Sequence, residues 1–159
     1  MKRLFIFFAL AVFCGAGIAA GKSDSIPSSV QWERYSDALN SARQDNKLIF
    51  VDIVADWCLP CREMDKTTYR DETVVRLLNS KFHPVRLNQA SQDPISCDGK
   101  TLPAERCFFD VWNLMAVPSY VLIAPKGISI LTYSNSLDAI QMKLLLLQFL
   151  EKEKEWRNQ

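Results

Sequence analysis

The chain has 159 residues, of which 48% are hydrophobic and 23% charged, and this composition suits one globular domain with its own core rather than two large domains. Its 19 Lys and Arg residues nearly balance 18 Asp and Glu residues, which gives a formal net charge of +1. No basic stripe, acidic tail or internal repeat stands out, so a nucleic-acid partner is not expected.

The first twenty residues differ in composition from the rest of the chain. Two basic residues precede an apolar run over residues 4–20, which ends in small residues. A short basic region, an apolar stretch and a small-residue exit predict a secretory signal peptide over residues 1–20, cleaved after Ala19 or Ala20. We therefore expect the mature domain to work outside the cytoplasm, most simply in the periplasm.

Two other fates of this segment stay open. A run of about 17 apolar residues is close to the short limit for a membrane span, so the segment could remain as an uncleaved anchor. Cys14 followed by Gly15 allows a lipoprotein, although Phe13 is bulky for the position before a lipidated cysteine. Downstream we expect a flexible lead-in over residues 21–29 and a single domain over residues 30–157.

The first half of the predicted domain begins with a helix and a strand. Apolar residues at helical spacing predict a helix over residues 30–46, capped by Ser28 or Ser29. The run KLIFVDIVA (47–55) is apolar, rich in β-branched residues and short enough for a buried central strand.

A strand–helix–strand unit is predicted from this point. The helix should run from the sequence WCLPC to about residue 80, with a kink at residues 67–72. The sequence HPVRLN (83–88) predicts a second strand. Elements in this order indicate a parallel pair of strands joined by a crossover helix.

The second half begins with a segment that breaks this alternation. Residues 89–106 are polar, contain two prolines and a glycine, and predict an inserted loop. A short helix should follow over residues 107–115, and then two strands around a Pro-Lys-Gly turn within residues 116–133. The chain should end in an amphipathic helix over residues 137–156. The apolar face of that helix is expected to consist of Ile140, Leu144, Leu147, Phe149 and Leu150.

Removal of the signal peptide would leave four of the five cysteines, namely Cys58, Cys61, Cys97 and Cys107, which allow three disulfide connectivities. Cys58 and Cys61 stand where a predicted strand ends and a helix begins. The unpaired N–H groups and the dipole of a helix N-terminus stabilise a thiolate and lower the pKa of a cysteine there from about 8.5 toward 7. Cys61 would lie one turn further on, close enough to attack a mixed disulfide at Cys58. This placement favours a redox couple.

The segment FVDIVADWCLPC (50–61) resembles the active-site segment of the thioredoxin family. The resemblance covers about residues 30–155 and is closest to secreted thioredoxin-like modules, such as the C-terminal domain of the transmembrane thiol:disulfide interchange protein. It implies an α/β, thioredoxin-like fold with a central mixed β-sheet flanked by helices and an inserted loop near residues 89–106. It also implies a thiol:disulfide oxidoreductase that needs no cofactor.

The resemblance extends to single positions. An acid six positions before the first cysteine helps the second cysteine lose its proton in this family, and Asp52 stands there. Arg86 stands where a lysine commonly neighbours that acid, although a solvated arginine is an equally compatible interpretation. Pro118 corresponds to the family's cis-proline beside the cysteines. The resemblance thus implies that Cys58, Cys61, Asp52 and Pro118 are catalytic, and that the substrate groove is lined by Trp57, Pro60 and Val117.

If Cys58 pairs with Cys61, then Cys97 and Cys107 are left to pair with each other. The leading hypothesis is a structural disulfide that holds the inserted loop, and the alternative is a second redox pair that passes electrons to Cys58 and Cys61. A zinc site built from all four cysteines is a further alternative. The spacing between Cys97 and Cys107 is long for a metal knuckle, however, and His83 is the only histidine in the sequence, so no metal is expected.

The expected function is the reduction or exchange of disulfides in exported proteins through Cys58 and Cys61. Leu59 and Pro60, which separate the cysteines, offer no side-chain donor to stabilise a thiolate strongly, and this favours the reducing direction. The expected partners are exported proteins with disulfides and a membrane-bound electron donor, and the domain is expected to be a monomer. The rival hypothesis is a thioredoxin-like binding or assembly module, either a chaperone or a cytochrome c maturation factor.

Overall fold

A central sheet flanked by helices makes up the part of the chain that the computed structural model describes, residues 27–157. The strands in chain order are β1 Leu48–Val54, β2 Phe82–Asn88, β3 Pro94–Cys97, β4 Lys100–Pro103, β5 Ser119–Ile123 and β6 Ser129–Ser134. The helices are α1 Tyr35–Asp45, α2 Leu59–Lys66, α3 Glu72–Lys81, the single turn α4 Ala104–Arg106, and α5 Ala139–Arg157. A 3-10 turn, Thr68–Arg70, lies between α2 and α3, and a π-helical turn, Cys107–Val111, follows α4.

The central sheet has the strand order β2-β1-β5-β6. Strand β1 pairs in parallel with β2 and antiparallel with β5, and β5 pairs antiparallel with β6. Core residues from helices pack on both faces of β1, which explains why this strand is apolar at nearly every position. The predicted mixed sheet flanked by helices is therefore confirmed.

Alternation of side chains along β1 divides the core into two layers. Ile49, Val51 and Ile53 face the layer that contains α1 and the inserted segment. Phe50 faces the opposite layer, where it packs with residues of α3 and α5. Asp52 is two positions beyond Phe50 and faces the same layer, so an acidic side chain is enclosed in mostly apolar surroundings.

The first helix begins later than the sequence predicts. The N–H group of Glu33 donates to the carbonyl of Pro84 at 2.8 Å, so the segment before the helix runs in an extended form beside the outer edge of β2. Helix α1 begins at Tyr35 without a side-chain cap, and the caps predicted at Ser28 and Ser29 are wrong. Pairing with an otherwise open strand edge outweighs the helical spacing of this segment.

The kink predicted after the cysteines is a complete break between two helices. Helix α2 ends at Lys66, the chain makes the 3-10 turn, and α3 begins after Asp71. The Asp71 carboxylate accepts hydrogen bonds from the N–H groups of Thr73 at 2.9 Å and Val74 at 3.0 Å. Because these bonds satisfy N–H groups that a helix start leaves unpaired, Asp71 begins a new helix there.

The insertion contains a β-hairpin rather than the loop that the sequence predicts. Strands β3 and β4 pair antiparallel, and Asp98 and Gly99 form the turn with positive φ angles of 47° and 80°. The dipeptide Asp-Gly favours such a turn. Side chains attach the hairpin to the domain: the Tyr35 hydroxyl donates to the carbonyl of Ser96 at 2.5 Å, and the Asp98 carboxylate accepts from the N–H and hydroxyl groups of Ser129 at 2.6 and 2.7 Å.

The last helix packs through a different face from the predicted one. Among the α5 residues up to 154, the buried side chains are Met142, Leu145, Leu146 and Phe149. Of the predicted face, Ile140, Leu144 and Leu147 are exposed, so that prediction is wrong except near the end of the helix. The run of four leucines at 144–147 offers an apolar side chain to either side, and its periodicity therefore does not select a face.

The predicted signal peptide over residues 1–20 and most of the lead-in lie outside the described residues. Among the helices within residues 27–157, none is long and apolar enough to cross a membrane.

A disulfide joins Cys97, at the end of β3, to Cys107, at the start of the π-helical turn. Both cysteines are fully buried in the layer shared with α1, together with Phe108 and Trp112. The turn ends at Val111, so the helix expected over residues 107–115 ends earlier than predicted. The bridge thus anchors the hairpin to the segment that leads into β5.

Replacing Cys97 and Cys107 together with alanine should lower the free energy of unfolding by about 2.5–3 kcal/mol, because the bridge closes a loop of about eleven residues in the unfolded chain. Urea unfolding of the double variant and of the oxidised parent protein measures the difference. Replacing Cys58 and Cys61 with alanine is the matched control, and its loss should be smaller because that ring is shorter. Equal stability of the Cys97/Cys107 variant and the parent would contradict a structural role.

Candidate active site

Cys58 occupies the N-cap position of α2, directly after the loop that follows β1. Its sulfur accepts a hydrogen bond from the backbone N–H of Cys61 at 3.2 Å, and the two cysteines form a disulfide. Pro60 lies in the first turn of the helix, where a missing N–H group costs nothing. The sulfur of Cys58 therefore sits where the N–H groups of a helix start stabilise negative charge.

The loop between β1 and α2 is held in place by contacts to its backbone and to Asp56. The side-chain amide of Asn88, at the end of β2, donates to the Asp56 carboxylate at 2.8 Å. The guanidinium of Arg62 in α2 donates to the Asp56 carbonyl at 2.6 Å. The N–H group of Cys58 donates to the carbonyl of Ala55 at 3.0 Å. The position of Cys58 is thus determined by the ends of β1 and β2 as well as by α2.

The peptide bond between Val117 and Pro118 is cis, at the start of β5. Val117 packs against the small cluster formed by Ala55, Cys58 and Cys61, so the proline loop lies beside the disulfide. The structure thus brings together the two cysteines and the proline loop that sequence reasoning assigned to one site.

The disulfide is almost completely buried. Cys58 is 1% exposed and Cys61 is 5% exposed, whereas a cysteine that attacks a substrate disulfide must be reachable. Trp57, Leu59 and Pro60 are exposed around it, and Met115 is exposed on the loop that precedes Pro118. In this oxidised form, access to Cys58 therefore requires movement of the neighbouring chain.

Asp52 is 1% exposed and lies on β1, opposite Arg86 on β2 in the parallel register. Its Oδ2 atom accepts a hydrogen bond from Arg86 Nε at 2.9 Å, and Arg86 Nη2 lies 2.8 Å from the same oxygen. The Oδ1 atom is buried without a hydrogen-bond partner. Burial raises the pKa of Asp52 to about 6, against the opposing effect of the Arg86 charge. At neutral pH this carboxylate is therefore poised to exchange a proton.

Arg86 is paired and mostly buried, so the solvated arginine considered from the sequence is wrong. Its Nη1 atom lies 2.7 Å from an oxygen of Asp65, near the end of α2. Its guanidinium lies 4.2 Å from the centre of the Trp32 ring and 5.0 Å from that of Tyr69. Sequence reasoning did not single out Asp65 and Tyr69. Their spacing offered a signal, because they follow Cys61 at intervals of four residues, the spacing that places side chains on one face of a helix.

The pairing of the cysteines bears on the zinc alternative. Cys58 is bonded to Cys61 and Cys97 to Cys107, so the four sulfurs do not form one tetrahedral set in this oxidised form. His83 is engaged elsewhere, with Nδ1 2.8 Å from Glu33 and Nε2 3.1 Å from Asp45.

A groove of about 680 Å³ among the described residues contains neither Cys58 nor Cys61. It lies between the start of α1 and the inserted hairpin, and it adjoins the site only through Trp32 and Arg86. The chemistry of the candidate site therefore belongs to the cysteine loop and the proline loop rather than to this groove.

Comparison with known families identifies the domain. The family model described as "Thioredoxin-like" matches residues 31–125 of the chain. The chain belongs to the thioredoxin-like family. The resemblance inferred from the active-site segment is therefore confirmed.

Individual members of the thioredoxin-like family give the same result. Thiol:disulfide interchange protein DsbD 1 of Pseudomonas aeruginosa is 27% identical over 145 residues, which cover 78% of this chain and 22% of that protein. This chain thus spans about a fifth of the length of that relative. A thioredoxin from Thermus thermophilus superposes with a TM-score of 0.64 at 20% identity over 79% of this chain and 90% of that one. The reduced DsbD C-terminal domain of Neisseria meningitidis gives a TM-score of 0.55 at 16% identity, over 71% and 91% of the two chains. These two structures establish the fold.

Replacing Asp52 with asparagine should stabilise the oxidised protein at pH 8 and leave it nearly unchanged at pH 4. Because the pKa of Asp52 is raised to about 6 on folding, the folded state keeps a proton that the unfolded chain releases above about pH 4. Stability contributed by the neutral form is then lost as the pH rises to about 6. We expect a gain on the order of 1–3 kcal/mol at pH 8 in urea unfolding. Asp37→Asn, an exposed change on α1, is the control, and a destabilised Asp52→Asn variant at pH 8 would contradict the prediction.

Proposed function

We propose that this protein is a thiol:disulfide oxidoreductase that reduces or exchanges disulfides of exported proteins through Cys58 and Cys61. The observation that carries the proposal is the Cys58–Cys61 disulfide at the start of α2, beside the loop with the cis peptide bond before Pro118 and directly after the strand that holds buried Asp52. Membership of the thioredoxin-like family and similarity to a thiol:disulfide interchange protein support it.

The reaction begins with the reduced protein. The Cys58 thiolate attacks one sulfur of a substrate disulfide, a mixed disulfide forms, and the other substrate sulfur leaves as a thiolate. Cys61 then transfers its proton to Asp52 and attacks the sulfur of Cys58. The remaining substrate sulfur leaves as a thiolate, and the Cys58–Cys61 disulfide remains. Two electrons pass from the cysteine pair to the substrate, which gains two thiols after protonation.

The helix start supports the first of these steps. The N–H groups at the start of α2 stabilise the Cys58 thiolate as nucleophile and also when it leaves the mixed disulfide. Leu59 and Pro60 add no further donor, and this favours the reducing direction. A reduction potential well below about −120 mV, the value for a strongly oxidising member of the family, is the expected result.

Return to the reduced form requires an electron donor. A dithiol protein that supplies two electrons and two protons completes the cycle, and we propose that this donor is held in the membrane. The predicted signal peptide over residues 1–20 supports a periplasmic location for the domain. The predicted monomer belongs to the same proposal.

Cys97 and Cys107 have a structural role in this proposal. Both sulfurs are fully buried and sit within the apolar layer on the side of α1. Since a relay pair must meet Cys58 or a partner directly, complete burial favours the structural disulfide over the electron relay.

A binding or assembly module is the second candidate, and the near-complete burial of Cys58 favours it. In that role the exposed side chains of Trp57 and Leu59 would contact a partner while the disulfide stays closed. The two candidate functions differ in whether Cys58 goes through repeated cycles of oxidation and reduction.

Replacing Cys58 with serine should abolish the reduction of insulin disulfides by the protein in the presence of dithiothreitol, because the attacking thiolate is lost. Replacing Cys61 with alanine should instead accumulate mixed disulfides at Cys58, which non-reducing electrophoresis and mass spectrometry identify. The variant with alanine at Cys97 and Cys107 should keep its rate. Undiminished function of the Cys58→Ser variant in cells would favour the binding module.

A further inference from the structure

We propose that Trp32 and Tyr69 hold Arg86 against Asp52 while Asp65 shares the same guanidinium, and that these three positioning residues together set how readily Asp52 takes up and releases a proton. The consequence for catalysis rests on the proposed function, in which Asp52 receives the proton of Cys61. The positioning itself is a property of the folded protein and is testable without turnover.

The guanidinium of Arg86 has contacts on its edges and on its face. One edge lies against Asp52, with Nε and Nη2 at 2.9 and 2.8 Å from the same carboxylate oxygen. The opposite nitrogen, Nη1, lies 2.7 Å from Asp65. The rings of Trp32 and Tyr69 contact its face, and they pack edge-to-face with their centres 5.1 Å apart. We call these three residues around the guanidinium, Trp32, Tyr69 and Asp65, the arginine slot.

The slot is assembled from three parts of the chain that meet at the edge of the sheet. Trp32 comes from the extended segment that pairs beside β2 through Glu33. Tyr69 comes from the 3-10 turn, and Asp65 comes from α2, which also carries Cys61. Arg86 lies on β2, an edge strand, and is 24% exposed, so without the slot its side chain could turn toward solvent.

Arg86 is the positive group that faces Asp52 among the described neighbours. The other groups that interact with the carboxylate are Asp65 on α2 and the hydroxyls of Tyr69 and of Tyr120 on β5. Asp65 repels a negative charge on Asp52 and also shares the arginine. Trp32 carries no charge, so a change at Trp32 affects Asp52 through Arg86, through the Tyr69 ring that it packs against, or through water admitted to the site.

Two substitutions should therefore shift the titration of Asp52 in opposite directions. Trp32→Leu releases the face of Arg86, weakens its contact with the carboxylate and should raise the pKa of Asp52 by about one unit. Asp65→Asn removes a repelling charge and a competitor for Arg86, and should lower it by a similar amount. Trp32→Phe keeps an aromatic ring under the guanidinium and should restore most of the parent value.

The measurement is a pH titration of the Asp52 side-chain carboxyl carbon by NMR in the oxidised protein, in which the disulfide cysteines do not titrate. Asp37→Asn, an exposed change on α1, is the control for a general loss of negative charge. In an Arg86→Gln background, Trp32→Leu should cause no further shift, because its effect passes through the arginine. In the reduced protein, the pH profile of insulin reduction should shift in the same directions.

Two results would overturn the inference. One is a shift below about 0.3 units for Trp32→Leu in the folded variant, and the other is an undiminished shift in the Arg86→Gln background. Asp65→Asn changes a side chain that is 44% exposed, so this variant should fold even where Trp32→Leu does not. Its failure to lower the pKa would then count against the slot. Expected NMR shifts in a protein without turnover would reject the proposed function while leaving the slot intact.

Discussion

A carboxylate enclosed on the strand that leads to the cysteine loop is the constraint on which the rest of the site depends. Asp52 lies on the central strand of the sheet, in a layer that otherwise buries aromatic and aliphatic side chains. Removing a carboxylate from water is costly unless a positive group compensates it. The parallel register places Arg86 directly opposite on β2, so the compensating charge comes from the neighbouring strand. The compensation is incomplete, because one oxygen of Asp52 has no partner and the pKa stays raised.

The need to keep Arg86 opposite Asp52 also explains why an extended segment of chain lies along the edge of the sheet beside β2. An arginine on an edge strand has solvent on one side, so its side chain can turn away from the sheet unless other groups hold the guanidinium. The extended segment that carries Trp32 covers that side and pairs with β2 through Glu33. The same segment reduces the open edge of β2, so one stretch of chain serves both the sheet and the arginine. A helix beginning at residue 30 would leave the edge of β2 unpaired and Arg86 without its contact to Trp32.

Much of the fold could be predicted because its signals are local. The apolar run of β1, the cysteine pair before a helix and the order of strand, helix and strand determine the centre of the domain. The sequence does not predict the hairpin of β3 and β4, although Asp98 and Gly99 indicate a turn. The prolines at the start of β3 and at the end of β4 argue against strands there. The face of α5 could not be chosen, since its run of leucines is apolar all round and only packing against the sheet decides which are buried.

The candidate site likewise contains residues that a short motif predicts and residues that only the fold brings together. Cys58, Cys61, Asp52 and Pro118 follow from one segment and one proline that resemble a family. The partners of Arg86 come from an extended segment, a helix and a 3-10 turn, and these distances across the fold are not encoded in any short motif. The burial of Cys58 likewise depends on packing from Val117, which lies on a different loop.

The two disulfides both connect cysteines that are near neighbours along the chain, at separations of 3 and 10 residues. Every mispaired alternative would join positions more than thirty residues apart. Since the entropy lost in closing a loop grows with its length, chance encounters in the unfolded chain favour the native partner of Cys107. The oxidative folding of this domain is thus biased toward its correct connectivity before any tertiary structure exists, and a helper that reshuffles bonds has little left to correct.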